Sequence, residues 1–278
     1  MSVATFAAVQ ILRALPRTRV SRAVGRLCDT PLPAGVSRAV VSLYVRAYGI
    51  DLGECQERSG AYESFDQFFT RELKPGRRTI CSNAREVASP ADGTIEAIGP
   101  VDLDGTLLVK KQRYTVADLV GDPVDAKRYA GGQFAIVYLS PRDYHRVHAP
   151  VAGEITHVRS MPGDLYPVNA IGERHVPLLF SKNRRVAIVI DTPTLGRVTV
   201  VMVGAIIVGR ITVNAIPGQD VPLGDHELSP PRPVRKGEEI GIFHLGSTAI
   251  VFVPRGAAAR FARATGPVRL GQSLAEKA

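Results

Sequence analysis

At 278 residues the chain has room for one large domain, or a domain with an appendage. With 45% hydrophobic and 22% charged residues it can build an ample core, which excludes a long disordered protein. A net charge of +9 points to an anionic partner, but aromatic residues at 6%, no Trp, no RNP-like aromatic string and no Lys-rich tail argue against nucleic acid.

Cys28, Cys55 and Cys81 are an odd, widely spaced set, unsuited to a disulfide framework or a zinc site and fitting a reducing compartment. No stretch approaches the roughly 20 apolar residues of a spanning helix. The apolar run 198–209 is broken by Thr199 and two glycines and reads as buried strands. Residues 1–27 carry five Arg and no acid, apolar first and basic afterwards, the reverse of a secretory signal and with something of a transit peptide.

The first 75 residues have a helical pattern. Val20, Ala23, Val24 and Leu27 form one apolar face, and Val40, Leu43, Tyr44 and Ala47 another, with Pro31 and Pro33 between them. Ser64 and Gln67 form a capping box for a third helix with Phe65, Phe68, Phe69 and Leu73 on one face, ended by Pro75-Gly76. These faces suit either packing on the core or a basic amphipathic surface for membranes.

From residue 85 short β-strands take over, at 94–98, 134–139, 186–190, 198–203 and 250–253, without βαβ alternation. Related units begin at Ser89-Pro90-Ala91-Asp92-Gly93 and Ala149-Pro150-Val151-Ala152-Gly153, and Arg235-Lys236-Gly237-Glu238 echoes the Pro162-Gly163-Asp164 turn, as in barrel-sandwich folds. The expected fold is α+β, mainly β: helices over 1–75, then a β-rich, barrel-sandwich-like catalytic domain over 76–278.

Three clusters carry chemistry. In His244-Leu245-Gly246-Ser247-Thr248, a Ser hydroxyl follows an open Gly peptide that it can attack once a base takes its proton. In Tyr144-His145-Arg146-Val147-His148, two histidines three apart on an extended segment face opposite ways, which favours separate roles over shared metal ligation. In Ala91-Asp92-Gly93, the Asp is a turn residue or the acid that orients a histidine. Asp92, His148 and Ser247 together supply the components of a Ser-His-Asp triad, without the Gly-x-Ser-x-Gly elbow of α/β-hydrolases.

These clusters resemble the phosphatidylserine decarboxylases of bacterial and mitochondrial type, whose processing motif reads Leu-Gly-Ser-Thr, here Leu245-Gly246-Ser247-Thr248. Further matches are 65–71, Leu73-Lys74-Pro75-Gly76, 90–93, 144–150, and Val203-Gly204-Ala205 with Val208-Gly209. Ala91 stands where many relatives have a larger residue.

The resemblance implies self-cleavage between Gly246 and Ser247 into chains 1–246 and 247–278, with Ser247 becoming a covalent pyruvoyl cofactor. It implies His148, oriented by Asp92, as the base of maturation. The pyruvoyl group then takes up the electrons that decarboxylation of phosphatidylserine leaves behind, giving phosphatidylethanolamine. An acid must protonate Cα, and His145 is the best candidate. No metal is required. The implied partners are the lipid, an anionic membrane surface and the two cleaved chains as a heterodimer, with a homodimer of that unit allowed and no nucleic acid. The implied location is peripheral, on the cytoplasmic face of a bacterial membrane, with Phe65, Phe68 and Phe69 helping the basic helices dock. The alternatives are a pyruvoyl decarboxylase of another serine lipid or amino acid, and a non-catalytic barrel-sandwich module.

Overall fold

The computed structural model describes residues 17–168, 172, 175–206, 210–245, 247–256 and 260–275. The N-terminal stretch 1–16, Val208-Gly209 and Gly246 lie outside the described residues.

Helix α1 spans Arg17–Asp29 and α2 Ala34–Tyr48, separated at Pro31 and Pro33 as the spacing predicts. Each buries polar side chains along with apolar ones: α1 buries Arg17 and Ser21 and packs Val24 and Cys28 on a core, and α2 buries Ser37 and Val41 with Tyr44 packed beside them. Arg17 anchors α1 through Nε to Asp164 Oδ1 at 2.8 Å and lies over the Tyr166 ring. Leu27, Val36, Val40 and Leu43 remain exposed, Leu27 at 69% and Leu43 at 71%.

Helix α3 is shorter than its pattern, Phe65–Phe69. Ser64 Oγ accepts from Gln67 N at 3.2 Å, but Gln67 Oε1 accepts from Glu63 N, one residue before its capping-box partner. The Thr70 hydroxyl donates back to the Asp66 carbonyl at 2.8 Å and the chain leaves the helix there, so Leu73 pairs with Cys55 in a β-bridge instead of extending the apolar face. The expected membrane role of the α3 aromatics is corrected here: Phe68 and Phe69 are 0% and 3% exposed and pack inside.

Strand outweighs helix, 37% against 22%, which makes the fold α+β and mainly β, as expected. The strands among the described residues are β1 (Gly93–Pro100), β2 (Thr106–Val109), β3 (Gln112–Thr115), β4 (Gln133–Leu139), β5 (Arg146–His148), β6 (Gly153–Met161), β7 (Arg185–Thr192), β8 (Gly196–Val203), β9 (Arg210–Val213), β10 (Gly224–Val234), β11 (Glu239–His244), β12 (Ser247–Val253) and β13 (Gly266–Val268). An antiparallel eight-stranded sheet runs β10-β6-β7-β8-β12-β4-β1-β13, beside a three-stranded sheet β5-β11-β9 and the hairpin β2-β3. The sheets are open; they do not close into a barrel.

Antiparallel sheets usually leave one face to water and alternate apolar with polar. Here the central strands are buried on both faces, which explains their continuous apolar runs. Along β12, Ala249, Val251 and Val253 join the core shared with Val147, Ile211, Ile240 and Phe243 of the three-stranded sheet. Ile250 and Phe252 join the opposite core with Phe69, Leu107 and Leu119.

The two Gly units of the sequence open β1 and β6. A Cβ on Gly93 would stand 2.2 Å from the Tyr138 carbonyl oxygen, and one on Gly153 2.4 Å from that of Asp191. Each glycine permits a neighbouring strand to approach closely, and at β1 this brings Asp92 to the head of the sheet.

Candidate active site

Three segments meet where β4 ends. Ser247 opens β12 opposite Leu139, the last residue of β4, while Thr248 of β12 and Thr94 of β1 both stand opposite Tyr138. Two strand spacings put those threonine backbones roughly 10 Å apart. Beyond β4 the chain turns at once: Asp143 Oδ2 accepts from Ser140 N and Oγ at 2.7 Å each, which delivers Tyr144, His145 and β5 to the same end. The end of β5 is joined to the Asp92 segment, because His148 N donates to the Pro90 carbonyl at 2.8 Å.

Asp92 is 8% exposed. Its carboxylate accepts from Arg78 Nε at 2.9 Å and Nη2 at 2.5 Å, and from Leu270 N at 2.8 Å. Arg78 also pairs with Glu54 at 2.8 Å, and these two acids raise its pKa. Asp92 and Tyr144 both line a cavity of about 410 Å³.

His148 has Nδ1 2.9 Å from the Gly237 carbonyl and Nε2 3.2 Å from the Tyr144 hydroxyl. A carbonyl only accepts, so Nδ1 carries the proton and Nε2 presents a lone pair to the Tyr144 O–H. Burial pushes the His148 pKa below its ordinary value. The ring is therefore a neutral base aimed through Nε2. Asp92 and His148 share no hydrogen bond in this arrangement; their link is the backbone contact at Pro90.

His145 has a different environment, as the spacing of three predicts. It is 0% exposed, and its ring centroid lies 4.0 Å from that of Phe69. Neither ring nitrogen completes a hydrogen bond. Burial, followed by the nearby Arg71 guanidinium, lowers its pKa to about 3, so the ring stays neutral.

The junction before Ser247 crosses between sheets: β11 belongs to the three-stranded sheet and β12 to the eight-stranded one. Leu245 makes the crossing with φ at 83°, an uncommon and strained setting for a bulky residue. Leu245 thus carries an uncommon backbone setting between two paired strands of different sheets.

Sequence reasoning passed over Tyr144, Arg78 and His244. Tyr144 and His244 stand inside the quoted motifs but lack a spacing rule. His244 Nδ1 lies 2.9 Å from Asp66 Oδ2 and 2.8 Å from Arg210 Nη2, and Nε2 is 3.2 Å from Thr212 Oγ1. Those partners come from α3 and β9, at separations no local pattern reveals.

The family model described as phosphatidylserine decarboxylase matches residues 65–276. The phosphatidylserine decarboxylase proenzyme of Anaeromyxobacter sp. (strain K) is 42% identical over 256 residues, 90% of each chain. That of Acinetobacter baumannii (strain AYE) is 41% identical over 242 residues, 85% of this chain and 83% of its own. That of Shewanella loihica is 38% identical over 275 residues, 94% and 96%. Matches of this extent make the chain an enzyme of the carboxy-lyase class, a decarboxylase, and set aside the non-catalytic module. It belongs to the phosphatidylserine decarboxylase family.

Proposed function

We propose that the chain is a proenzyme that cuts itself between Gly246 and Ser247 and then decarboxylates phosphatidylserine to phosphatidylethanolamine and CO2. The observation that carries this reading is the meeting of β12, which Ser247 opens, with the end of β4 and the segment bearing His145 and His148. The family's name supplies the substrate.

In maturation His148 takes the Ser247 hydroxyl proton at Nε2, and Asp92 helps hold the loop and charge around it. For this the Tyr144 hydroxyl must yield its place on Nε2. The Ser247 oxygen attacks the Gly246 carbonyl, the peptide becomes an ester, and the Ser247 nitrogen becomes an amine. β-Elimination releases Gly246 as a carboxylate and leaves dehydroalanine. Water then replaces nitrogen, ammonia departs, and a ketone remains at residue 247. That pyruvoyl carbonyl supplies the electron sink that decarboxylation of an amino acid needs. Its formation is compatible with the strained Leu245 φ and with β12 being held on both sides by β4 and β8. We assign the proton that Cα requires to His145, whose ring is neutral in the uncut chain and must take up a proton before it can give one.

The division into a helical region over 1–75 and a catalytic region over 76–278 is part of this proposal. No helix of the described residues is long and apolar enough to cross a membrane. We infer peripheral docking on an anionic bilayer, at the cytoplasmic face, through helices α1 and α2, whose outward residues Leu27, Val36, Val40 and Leu43 are exposed.

The test is intact mass together with lipid chromatography on purified protein. The expected result is a small chain that lacks a free amino terminus, and product from phosphatidylserine. An intact chain that is fully active would overturn the reading.

A further inference from the structure

One face of α1 overlooks a cavity. Thr18, Ser21, Arg22, Gly25, Arg26 and Asp29, spaced as a single helical stripe, line a cavity of about 550 Å³ whose other wall includes His244 and Leu245. Leu245, which precedes Gly246 in the chain, is thus part of its wall.

Its inner charges are already matched. Arg210 pairs with Asp29 at 2.6 Å and Asp66 at 2.9 Å, and Arg184 with Asp220 at 2.6 Å. The guanidinium groups of Arg22 and Arg26, one turn apart, make no ion pair or hydrogen bond with any described residue; Thr30 bonds to Arg26 only at its carbonyl. Gly25 stands between them on the same stripe. A Cβ there would meet nothing within 4 Å, so neither packing nor backbone conformation asks for glycine, which weakens a helix. Its effect is to leave the wall open beside two free guanidinium groups.

We propose that Arg22 and Arg26, with the gap at Gly25, are the seat for the substrate's phosphodiester. This rests on the proposed decarboxylation of phosphatidylserine. The substrate's carboxylate is lost at the reacting carbon and so belongs at the inner end, by residue 247. The phosphate, a few bonds further out, falls at the rim, where the unmatched positive charge is. Guanidinium forks match phosphate oxygens two at a time. The acyl chains then leave over Leu27, the exposed apolar residue that follows Arg26.

The test uses short-chain phosphatidylserine and phosphatidylethanolamine kept monomeric, so that no membrane surface takes part. In the double variant Arg22→Gln/Arg26→Gln, cleavage on a denaturing gel should proceed as in the parent. KM for the monomeric substrate should rise about tenfold or more, as loss of charge-assisted hydrogen bonds implies. Calorimetric Kd for the monomeric phosphatidylethanolamine should weaken to the same degree. Arg22→Lys/Arg26→Lys should recover part of both. Gly25→Leu should raise KM and Kd by filling the gap, with no fall in Tm, because nothing stands in its way. Unchanged KM and Kd in the double variant and in Gly25→Leu would overturn the seat. So would a defect seen only on anionic vesicles, which would mark Arg22 and Arg26 as surface attraction alone. If the parent binds the monomeric lipid in an Arg22- and Arg26-dependent way but releases no CO2, the seat stands and the proposed reaction falls.

Discussion

Leu270 donates its backbone N–H to Asp92 Oδ1 at 2.8 Å, so a residue beyond the Gly246–Ser247 bond holds the carboxylate that precedes it. The other anchor of that carboxylate is Arg78. Asp92 is thus held from both sides of that bond.

Asp92→Asn should keep the fold, since the amide oxygen can still accept from Leu270, but should remain a single band on a denaturing gel. Ser247→Ala should also stay whole, for lack of a nucleophile. Maturation of Asp92→Asn at the parent rate would mean that Ser247 has another activator.

Maturation should depend on pH through His148. The base must be neutral, and burial lowers its pKa from 6.5. Cleavage of newly translated chain should therefore be on a plateau at neutral pH and decline only below about 6.5, at the depressed pKa. His148→Ala should remove cleavage across the whole range. A parent inflection above pH 7 would contradict a buried, neutral base.

His145 should separate the two stages. His145→Ala should cleave, at least in part, yet turn over about 10²–10⁴-fold more slowly, the usual loss for a missing proton donor. Cleavage by gel and product by chromatography on one preparation decide it; equal loss of both would make His145 a structural support of the loop.

The same residue predicts an acid limit to stability. Its pKa is about 3 folded and 6.5 unfolded, so below pH 6.5 the unfolded chain binds the extra proton. Stability should fall as pH drops through that window, with a limiting slope of about 1.36 kcal/mol per pH unit. His145→Gln should flatten the slope in denaturant titrations between pH 6.5 and 4.

Much of this fold was legible because its strands announce themselves. The runs 134–139, 186–190 and 198–203 became β4, β7 and β8. The pairing of β12 between β4 and β8 was not legible, since register depends on partners far away in sequence. The candidate site was legible as a set of motifs, and the structure adds what motifs cannot carry: Tyr144 on His148, Arg78 on Asp92, and the burial of Phe69 against His145. The aromatic triple of α3 reads the same in sequence whether it faces a bilayer or a core. Helices α1 and α2 were read correctly as amphipathic, but only packing reveals that their polar side chains, Ser21 and Ser37, turn inward.

Those outward residues give a membrane prediction. Leu27→Asp with Leu43→Asp should leave Tm nearly unchanged, because both side chains are exposed. Co-sedimentation with phosphatidylserine vesicles should fall tenfold or more, as removing one buried Leu from an interface costs about 1.5–3 kcal/mol. Parent binding should weaken with added salt. Binding indifferent to the substitutions, to lipid charge and to salt would show that the helices serve only the fold.

The crossing from β11 to β12 also sets the molecularity of assembly. While the bond is whole, β12 enters the middle of the large sheet as part of one chain, and its ladders to β4 and β8 form by an intramolecular search. Once the bond is cut, the same strand belongs to a separate 32-residue piece (residues 247–278), and recovering it after denaturation becomes a meeting of two molecules. Refolding yield of the mature form should then depend on concentration and be poor when dilute, while Ser247→Ala refolds independently of concentration. Proteolytic life would follow suit: a molecule cut as proposed that opens far enough to lose β12 would have no tether to bring it back, and global unfolding would become a one-way exit.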